Sequence, residues 1–256
     1  MCITVGKYFP INFRLKNSYY YNNGFMLTAA RNGIAIQKCG KTKARTKELI
    51  YLSELMKRKD KAAIKAVGLR CLVHILKVVT PSNIWLITDK ADRADDNGEA
   101  FFGYCMKNRK EIGCYPVFAV GKNTPDYKRI KKIGPVVPYM SWMHKVSHLL
   151  ACHTISAYSH NEISSPFYNY GYYYSDMMQN NKIVFLQHGV TKDDVSKGLN
   201  RRLKNFSLFI TSAEEEYDSI LNYNYGYTEK HVALTGMPRY DRLYDKVEKI
   251  VTIMPT

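Results

Sequence analysis

The sequence predicts an α/β protein in which one Rossmann-like domain follows a small β-meander and basic amphipathic helices. Two Asn-Gly pairs separate short apolar runs within residues 10–38, a proline-free stretch over 42–79 carries apolar residues at helical spacing, and short apolar runs recur after Pro81. Such runs, separated by polar or helical stretches, are typical of a parallel sheet covered by helices. The hydrophobic fraction of 46% over 256 residues excludes a disordered chain.

Residues 1–40 are predicted to form the β-meander. Two strand-like runs, 13–21 and 25–28, are joined by Asn22-Asn23-Gly24, and Asn32-Gly33 precedes a third apolar run. Asn-Gly between apolar runs is a strong hairpin signal because both residues tolerate the positive φ of a tight turn.

Residues 41–80 are predicted to form one or two basic amphipathic helices that end before Pro81. The apolar residues near helical spacing are Leu49, Leu52, Met56, Ile64, Val67, Leu72, Ile75 and Leu76. Residues 1–80 hold 16 basic and 3 acidic side chains, against 22 and 19 in residues 81–256. A basic block of this kind suits nucleic acid, anionic lipid, a polyanionic substrate or a merely solvated face, and charge alone does not choose among them.

The Rossmann-like domain is predicted over residues 81–248. Its strands are six apolar runs at 84–87, 116–120, 154–158, 183–186, 208–211 and 232–234. Helices are expected at 98–112, 139–152, 213–223 and 239–249. Residues 249–256 begin another apolar run, which either pairs with the same sheet or starts a second domain.

The cysteines and the N-terminus indicate the cellular compartment in which the protein is expected. Six cysteines lack any C-x-x-C pair or dense spacing, so they are interpreted as reduced core thiols. No signal peptide pattern is present, and no uncharged apolar stretch reaches the roughly 18 residues that span a bilayer. We therefore expect a cytoplasmic protein that can lie on a membrane surface.

Several motifs that suggest a ligand are weak. Gly40-Lys41-Thr42 lacks the first glycine of a phosphate loop because Ala35 stands there, and no G-x-G-x-x-G occurs. The tyrosine-rich stretch 168–174 contains no arginine, so a packed loop or a sugar-facing lid is favoured over a nucleic-acid platform. No known nucleic-acid module is recognisable, and nucleic acid is not expected as a partner.

Histidines give one weak metal pattern and one candidate ligand contact. His144 and His148 have the i, i+4 spacing of two metal ligands, with His153 nearby, but no carboxylate accompanies them. A packed helix is therefore favoured, and no metal is expected. His160 follows the run 154–158 at a position where ligands often bind, which makes it a candidate substrate-binding residue.

The most informative segment is the run 183–186, which ends in Gln187-His188-Gly189. Ligands of open α/β sheets gather at the carboxyl ends of strands, and a histidine there can take a proton from an alcohol near neutral pH. Gly189 allows a sharp turn or the close approach of a ligand. The alternative is a histidine that only caps its strand by hydrogen bonding.

A second segment, 235–242, follows the run 232–234. The planar fork of donors on a guanidinium binds phosphate, and Arg239 provides one here. Arg239 and Asp241 equally suit a structural ion pair at a helix start.

Together these segments resemble the CDP-glycerol glycerophosphotransferase family, whose members build teichoic acid and capsule chains. The resemblance covers residues 81–256. It is carried by FLQHGVTKDD at 185–194, by FITSA at 209–213 with Glu216-Tyr217, and by TGMPRYDRL at 235–243.

The resemblance implies a GT-B-like architecture of two Rossmann-like domains. It implies transfer of glycerol phosphate from CDP-glycerol to a lipid-linked poly(glycerol phosphate) acceptor, with release of CMP and with CDP-glycerol as donor substrate rather than a separate cofactor. His188 matches the family histidine that deprotonates the acceptor hydroxyl. The candidate substrate-binding residues are Gly189, Lys192, Arg239, Asp241, Asp95, Asp96, Asn97 and His160. Of these, Asp95, Asp96 and Asn97 lie in a polar loop after the run 84–87 and are expected on that ground to line the acceptor cleft.

The family pattern continues beyond the strand at 249–256 into a donor domain, so this chain is expected to be the acceptor-side half with the donor-binding second domain missing. The resemblance also implies a peripheral position at the cytoplasmic face of the cell membrane, where the basic segment from Lys57 to Lys77 would meet anionic lipid. A non-catalytic protein that binds an anionic polymer or the membrane surface is the alternative.

Overall fold

The computed structural model describes residues 10–30, 33–160, 165–167 and 170–243, and it confirms the α/β class. Its first described strands form an antiparallel meander: β1 (Tyr19–Asn22), β2 (Phe25–Ala30) and β3 (Gly33–Lys38). The first Asn-Gly hairpin is confirmed, since Asn23 and Gly24 have φ values of +46° and +80°. The second turn includes residues 31–32, which lie outside the described residues.

The first strand is shorter than predicted, because it begins at Tyr19 and not near residue 13. The preceding residues form turns, in which the Leu15 amide donates to the Asn12 carbonyl at 3.1 Å. The amides of Lys16 and Asn17 donate to the Glu54 carboxylate at 3.1 and 2.8 Å. These bonds hold the segment against a helix instead of a strand.

The predicted basic segment forms α1 (Lys41–Lys57) and α2 (Lys61–Val79). Lys59 has a φ of +54° between them, and the Asp60 side chain caps α2 by accepting from the Ala62 amide at 3.1 Å. α2 ends before Pro81, as predicted.

A shared core joins the meander and both helices to the later chain. Tyr173 and Tyr174 of the tyrosine-rich stretch are buried in this core, so that part of the stretch is packed. Residues 168 and 169 lie outside the described residues. At the centre of the core, the fully buried Arg70 bonds the carboxylates of Glu48 and Asp176.

The described residues contain a seven-stranded sheet whose paired strands are all parallel. Its strands are β4 (Ile84–Thr88), β5 (Tyr115–Val120), β6 (Val136–Pro138), β7 (His153–Ser156), β8 (Lys182–Phe185), β9 (Phe206–Thr211) and β10 (Val232–Leu234). The six predicted runs all contain strands. β6 is an additional strand that was not predicted, because prolines stand at both of its ends. It lies at the edge of the sheet, where proline is tolerated.

The helices differ more from the prediction than the strands do. They are α3 (Asn97–Lys107), α4 (Arg109–Ile112), α5 (Pro125–Lys131), α6 (Trp142–Leu150), α7 (Ser196–Leu199), α8 (Arg201–Lys204) and α9 (Glu214–Asn222). The helix predicted at 98–112 breaks at Asn108, and α5 was not predicted. The helix predicted at 239–249 is, in its described part, a 3-10 helix at Pro238–Arg242. Residues 244–256, including the predicted run at 249–256, lie outside the described residues.

The strand order β10-β9-β8-β7-β4-β5-β6 places the chain's crossover beside β4. From β4 the chain first adds β5 and β6 on one side and then adds β7 to β10 on the other. Open α/β sheets bind ligands at such a switch point, at the carboxyl ends of the strands. Among the described helices, none combines the length and apolar character needed to cross a bilayer.

Candidate functional site

His188 follows β8 at the carboxyl edge of the sheet, one strand away from the switch point. The turn that presents it is made by Gln187, whose φ is +64°. Gly189 does not have a positive φ, and a Cβ there would meet no heavy atom within 4 Å. The chain bends at Gly189 without a conformation that requires glycine, and open space beside Gly189 leaves room for a ligand.

The His188 ring is oriented by the end of the neighbouring strand β7. Its Nδ1 lies 3.3 Å from the Ala157 carbonyl oxygen, and the ring stacks on Tyr158 with 4.8 Å between ring centroids and 15° between planes. A carbonyl only accepts hydrogen bonds, so this contact favours the tautomer with the proton on Nδ1. The side chain is exposed, and Nε2 is left as the proton-accepting atom.

Asp96 joins the groups that surround His188. Its Oδ2 accepts from the Tyr158 hydroxyl at 2.9 Å, and its Oδ1 accepts from Arg239 Nη1 at 2.6 Å. Arg239 Nη1 also donates to the His188 carbonyl at 3.0 Å. Burial, with Asp96 adding to the effect, raises the pKa of Tyr158 to about 12, so Tyr158 stays a neutral hydrogen-bond donor.

Asn97 hydrogen-bonds to the loops that carry His188 and Arg239. It is fully buried, and its Nδ2 donates to the Gln187 carbonyl at 2.7 Å while its Oδ1 accepts from the Arg239 amide at 3.1 Å. These bonds place Asn97 beneath the cleft, where it holds His188 and Arg239 near each other.

Asp89 directly follows β4, and its side chain hydrogen-bonds to the amino end of α3. The buried carboxylate accepts from the amides of Asp96, Gly98 and Glu99 at 3.2, 2.7 and 3.0 Å. Burial raises the pKa of Asp89 to about 7, although the three amide donors act in the opposite direction. A carboxyl group that titrates near neutral pH therefore lies at the switch point, which is a feature of functional sites.

A second buried carboxylate supports the loop after His188. Glu216 Oε1 accepts from Gln187 Nε2 at 3.0 Å and from the Thr191 amide at 2.8 Å, and Oε2 accepts from the Ser212 amide at 2.9 Å. Because Glu216 bridges the ends of β8 and β9, it stabilises the backbone conformation that presents His188.

The remaining candidate residues lie at the surface around this cleft. Asp95 has a φ of +87° and a side chain that is 82% exposed, 3.9 Å from Arg242. Lys192, Asp241 and His160 are exposed. The ion pair of Arg239 is with Asp96, and not with Asp241 as in the structural alternative considered from the sequence.

The histidines of α6 are packed, as favoured from the sequence. His144 and His148 are buried, and burial lowers their pKa values to about 4 and about 3. His148 Nδ1 lies 3.4 Å from the Thr154 hydroxyl, and His144 Nδ1 accepts from the Met140 amide at 3.1 Å. The described part of the chain contains no group of three His, Cys, Asp or Glu side chains that could hold a metal ion.

Sequence reasoning missed Asp89, Tyr158 and Lys90, whose Nζ lies 4.6 Å from the centre of the Tyr158 ring, and it named Glu216 only within a family motif. Asp89 follows the run 84–87 by one residue, and Tyr158 was included in the run 154–158 as if it were part of the strand. A polar residue just after an apolar run was therefore the available signal for both. Glu216 lies in a helix, and nothing in its local pattern indicates burial.

Comparisons with known proteins found a matching family, a similar protein and a similar solved structure. Residues 69–255 match the family described as CDP-glycerol:poly(glycerophosphate) glycerophosphotransferase. The minor teichoic acid biosynthesis protein GgaB of Bacillus subtilis (strain 168) is 36% identical over 257 residues, which cover 98% of this chain and 28% of GgaB. The chain thus spans less than a third of that relative's length. The solved structure of the wall teichoic acid polymerase TagF is similar with a TM-score of 0.46 and 12% identity, over 81% of this chain and 50% of TagF.

Proposed function

Because the chain belongs to the CDP-glycerol:poly(glycerophosphate) glycerophosphotransferase family, we propose that it forms the acceptor-side unit of a GT-B-like transferase. The enzyme would transfer glycerol phosphate from CDP-glycerol to a lipid-linked teichoic acid or capsule acceptor and release CMP. The strand order of the sheet and the polar residues at its carboxyl edge support an acceptor cleft here.

In the proposed reaction, His188 Nε2 removes the proton from the terminal hydroxyl of the acceptor. The hydroxyl oxygen attacks the phosphorus that carries glycerol, the bond from this phosphorus to the bridging diphosphate oxygen breaks, and CMP leaves with that oxygen. Arg239 adds positive charge beside the reacting phosphate. Gly189 directly follows His188 and Lys192 lies four residues after it, and both are proposed to contact the substrate phosphates. Asp241 and His160 are proposed at the outer rim.

The orientation of His188 is the single observation that carries this role. Its Nδ1 faces the Ala157 carbonyl at 3.3 Å, so the proton-accepting Nε2 belongs to an exposed ring at the carboxyl edge. A histidine that merely capped its strand would need no stacking partner, whereas Tyr158 and Asp96 hold this ring in one orientation.

The test is His188→Ala in the full-length protein, with CMP release from CDP-glycerol measured in the presence of a glycerol phosphate oligomer. Loss of a general base is expected to lower kcat by about 100-fold or more. His231→Ala is the matched control, because His231 lies before β10 at the opposite edge of the sheet and should leave kcat unchanged. CMP release at the native rate by His188→Ala would remove the proposed role.

A non-catalytic role in binding an anionic polymer or membrane is the second candidate. It is favoured by the exposed basic side chains around the junction of α1 and α2, which include Lys57, Arg58, Lys59, Lys61 and Lys65. Polymer binding by the full-length protein without any CMP release would support this alternative against the transferase.

The same basic surface supports a peripheral location at the cytoplasmic face of the cell membrane. A lipid-linked acceptor keeps its growing end near the bilayer, and Lys and Arg side chains near an anionic surface contribute about 1 kcal/mol each to attraction. We place the anionic membrane surface among the proposed partners on this ground.

A further inference from the structure

A small polar cavity opens beside His188 at the switch point between β4 and β7. Its volume is about 170 Å³, and it is lined by Asp89, Lys90, Arg93, Asp95, Asp96 and Tyr158. The Tyr158 ring that forms part of this lining also stacks on the His188 imidazole. Tyr158 therefore connects the cavity lining with the group proposed to accept the proton.

The charged groups that line the cavity lie at different depths. Asp89 is only 1% exposed and the Asp96 side chain is 14% exposed, so carboxylates form the floor together with the Tyr158 hydroxyl. Lys90 is half-buried with its Nζ 4.6 Å from the centre of the Tyr158 ring, and Arg93 is exposed. Lys90 and Arg93 therefore lie above the carboxylate floor, nearer to solvent, together with the exposed carboxylate of Asp95.

We propose that this cavity binds the terminal glycerol phosphate unit of the acceptor, with its free hydroxyls toward Asp89, Asp96 and Tyr158 and its phosphate toward Lys90 and Arg93. The proposal rests on the proposed transferase function and assigns the acceptor's last unit to these residues. The ligand chemistry is a short polyol that carries a phosphate at one end.

The depths at which these charged groups lie favour one orientation of the ligand. A phosphate at the floor would face the buried acidic groups of Asp89 and Asp96, whereas hydroxyl groups donate hydrogen bonds to carboxylate oxygens. At the rim, Lys90 and Arg93 form charge-assisted bonds to phosphate. The hydroxyl end is therefore proposed to enter first, which places the nucleophilic oxygen beside Tyr158, whose ring stacks on His188.

The kinetic test uses Lys90→Gln and Arg93→Gln in the full-length protein, with Arg109→Gln as control. Arg109 is an exposed arginine of α4 that does not line the cavity. Each cavity variant is expected to raise KM for a glycerol phosphate oligomer by about tenfold, because one charge-assisted bond is lost, while KM for CDP-glycerol and kcat stay within about threefold. Unchanged acceptor KM, or equal changes in both KM values, would overturn the proposal.

Direct binding separates this proposal from the transferase function. Calorimetric titration of the wild-type protein with glycerol 3-phosphate should show binding that weakens about tenfold in Lys90→Gln and in Arg93→Gln. Glycerol alone should bind equally to all three proteins. Binding of glycerol 3-phosphate that both substitutions leave unchanged would contradict the assignment.

Competition distinguishes the two sources of this ligand. If the polymer end is the natural occupant, free glycerol 3-phosphate should inhibit competitively against the oligomer and bind more weakly than it. Tighter binding of free glycerol 3-phosphate than of the oligomer would refute the assignment to the acceptor end. If wild-type protein binds these ligands in the cavity but never releases CMP, the transferase function fails and the site stands.

Discussion

Gly98 occupies a position where no larger residue fits. A Cβ atom there would overlap Asp89 Oδ1 and would lie 2.9 Å from the Thr88 carbonyl oxygen. The Gly98 amide donates to that same Asp89 oxygen at 2.7 Å, so the glycine lets the first turn of α3 close on the carboxylate. The position of Asp96 in the cleft depends on this turn.

Gly98→Ala is expected to destabilise the protein by about 1–3 kcal/mol, because the backbone of the turn must shift to relieve the overlap. Gly103→Ala, in the same helix, is the matched control, since a Cβ at Gly103 meets no heavy atom within 4 Å. Removing a helical glycine should stabilise by about 0.5–1 kcal/mol. Urea unfolding measures both, and equal effects of the two substitutions would contradict the packing argument.

The buried histidines of α6 give a stability change with acid. Burial holds the pKa values of His144 and His148 at about 4 and about 3, below the ordinary 6.5 that applies when the chain unfolds. The unfolded chain therefore binds more protons than the folded chain between these values. Stability is full above pH 6.5 and falls as the pH drops below it, by up to about 1.4 kcal/mol per pH unit for each histidine.

The corresponding measurement is the free energy of unfolding between pH 7.5 and 4.5 for the wild type and for His148→Gln. The substitution removes one titrating group, so its plot should fall less steeply below pH 6.5, whatever its stability at pH 7.5. Parallel plots for the two proteins would mean that His148 is accessible to protons in the folded state.

At the scale of elements, one buried ion network attaches α1 and α2 to the chain that follows β7. Arg70 Nη2 donates to Glu48 Oε2 at 2.6 Å, Nη1 donates to Asp176 Oδ1 at 2.7 Å and to the Tyr173 carbonyl at 3.0 Å, and its guanidinium lies 4.7 Å from the centre of the Tyr51 ring. Removing the cation would leave two carboxylates facing each other with little solvent.

Arg70→Met is expected to cost about 3–5 kcal/mol of stability, because an ion network of this kind loses its central charge. Arg45→Met is the control at an exposed position of α1, where a change within about 0.5 kcal/mol is expected. Thermal unfolding of both variants checks this. A loss of less than 1 kcal/mol in Arg70→Met would mean that the elements are held by apolar packing alone.

Local signals predicted the elements well where a single physical cause dominated. The Asn23-Gly24 turn and the end of α2 before Pro81 follow from backbone preferences of individual residues. The turns at 12–18 depend on bonds that form only in the folded chain, such as that from the Lys16 amide to Glu54. Periodicity contains no information about such partners.

The residues of the candidate site also differ in whether local sequence signals predicted them. His188 and Arg239 were predicted because each follows an apolar run that ends in a distinctive tripeptide or turn. Asp89 and Tyr158 acquire their roles from strand order, since β4 and β7 become neighbours although 64 residues separate Asp89 from His153 at the start of β7. The two strands become neighbours only in the assembled sheet, so local sequence patterns do not predict this contact.

At the scale of the whole molecule, α2 carries both basic side chains and exposed apolar side chains. Ile64, Cys71, Ile75 and Val78 recur at helical spacing along its outer face, and Ile75 and Val78 are 67% and 84% exposed. Together with the basic side chains near the start of α2, this is the pattern of a helix that lies in a membrane interface.

The double variant Ile75→Ser with Val78→Ser should therefore bind less to phosphatidylglycerol vesicles in a flotation assay. Leu203→Ser, at a 49%-exposed apolar position of α8, is the matched control and should float like the wild type. Wild-type binding should also weaken as salt screens the lipid charge. Undiminished flotation of the double variant would exclude this face as the contact.

The bond from the Arg239 amide to Asn97 Oδ1 joins residues that are 142 positions apart in the chain. Contacts of such long sequence separation form late, because the intervening chain must first be ordered. During synthesis on the ribosome, His188 therefore emerges before the loop that carries Arg239 exists. The cleft gains its complete set of charges only after β10 has joined the sheet, so a nascent or partly folded chain presents an unfinished site to its substrates.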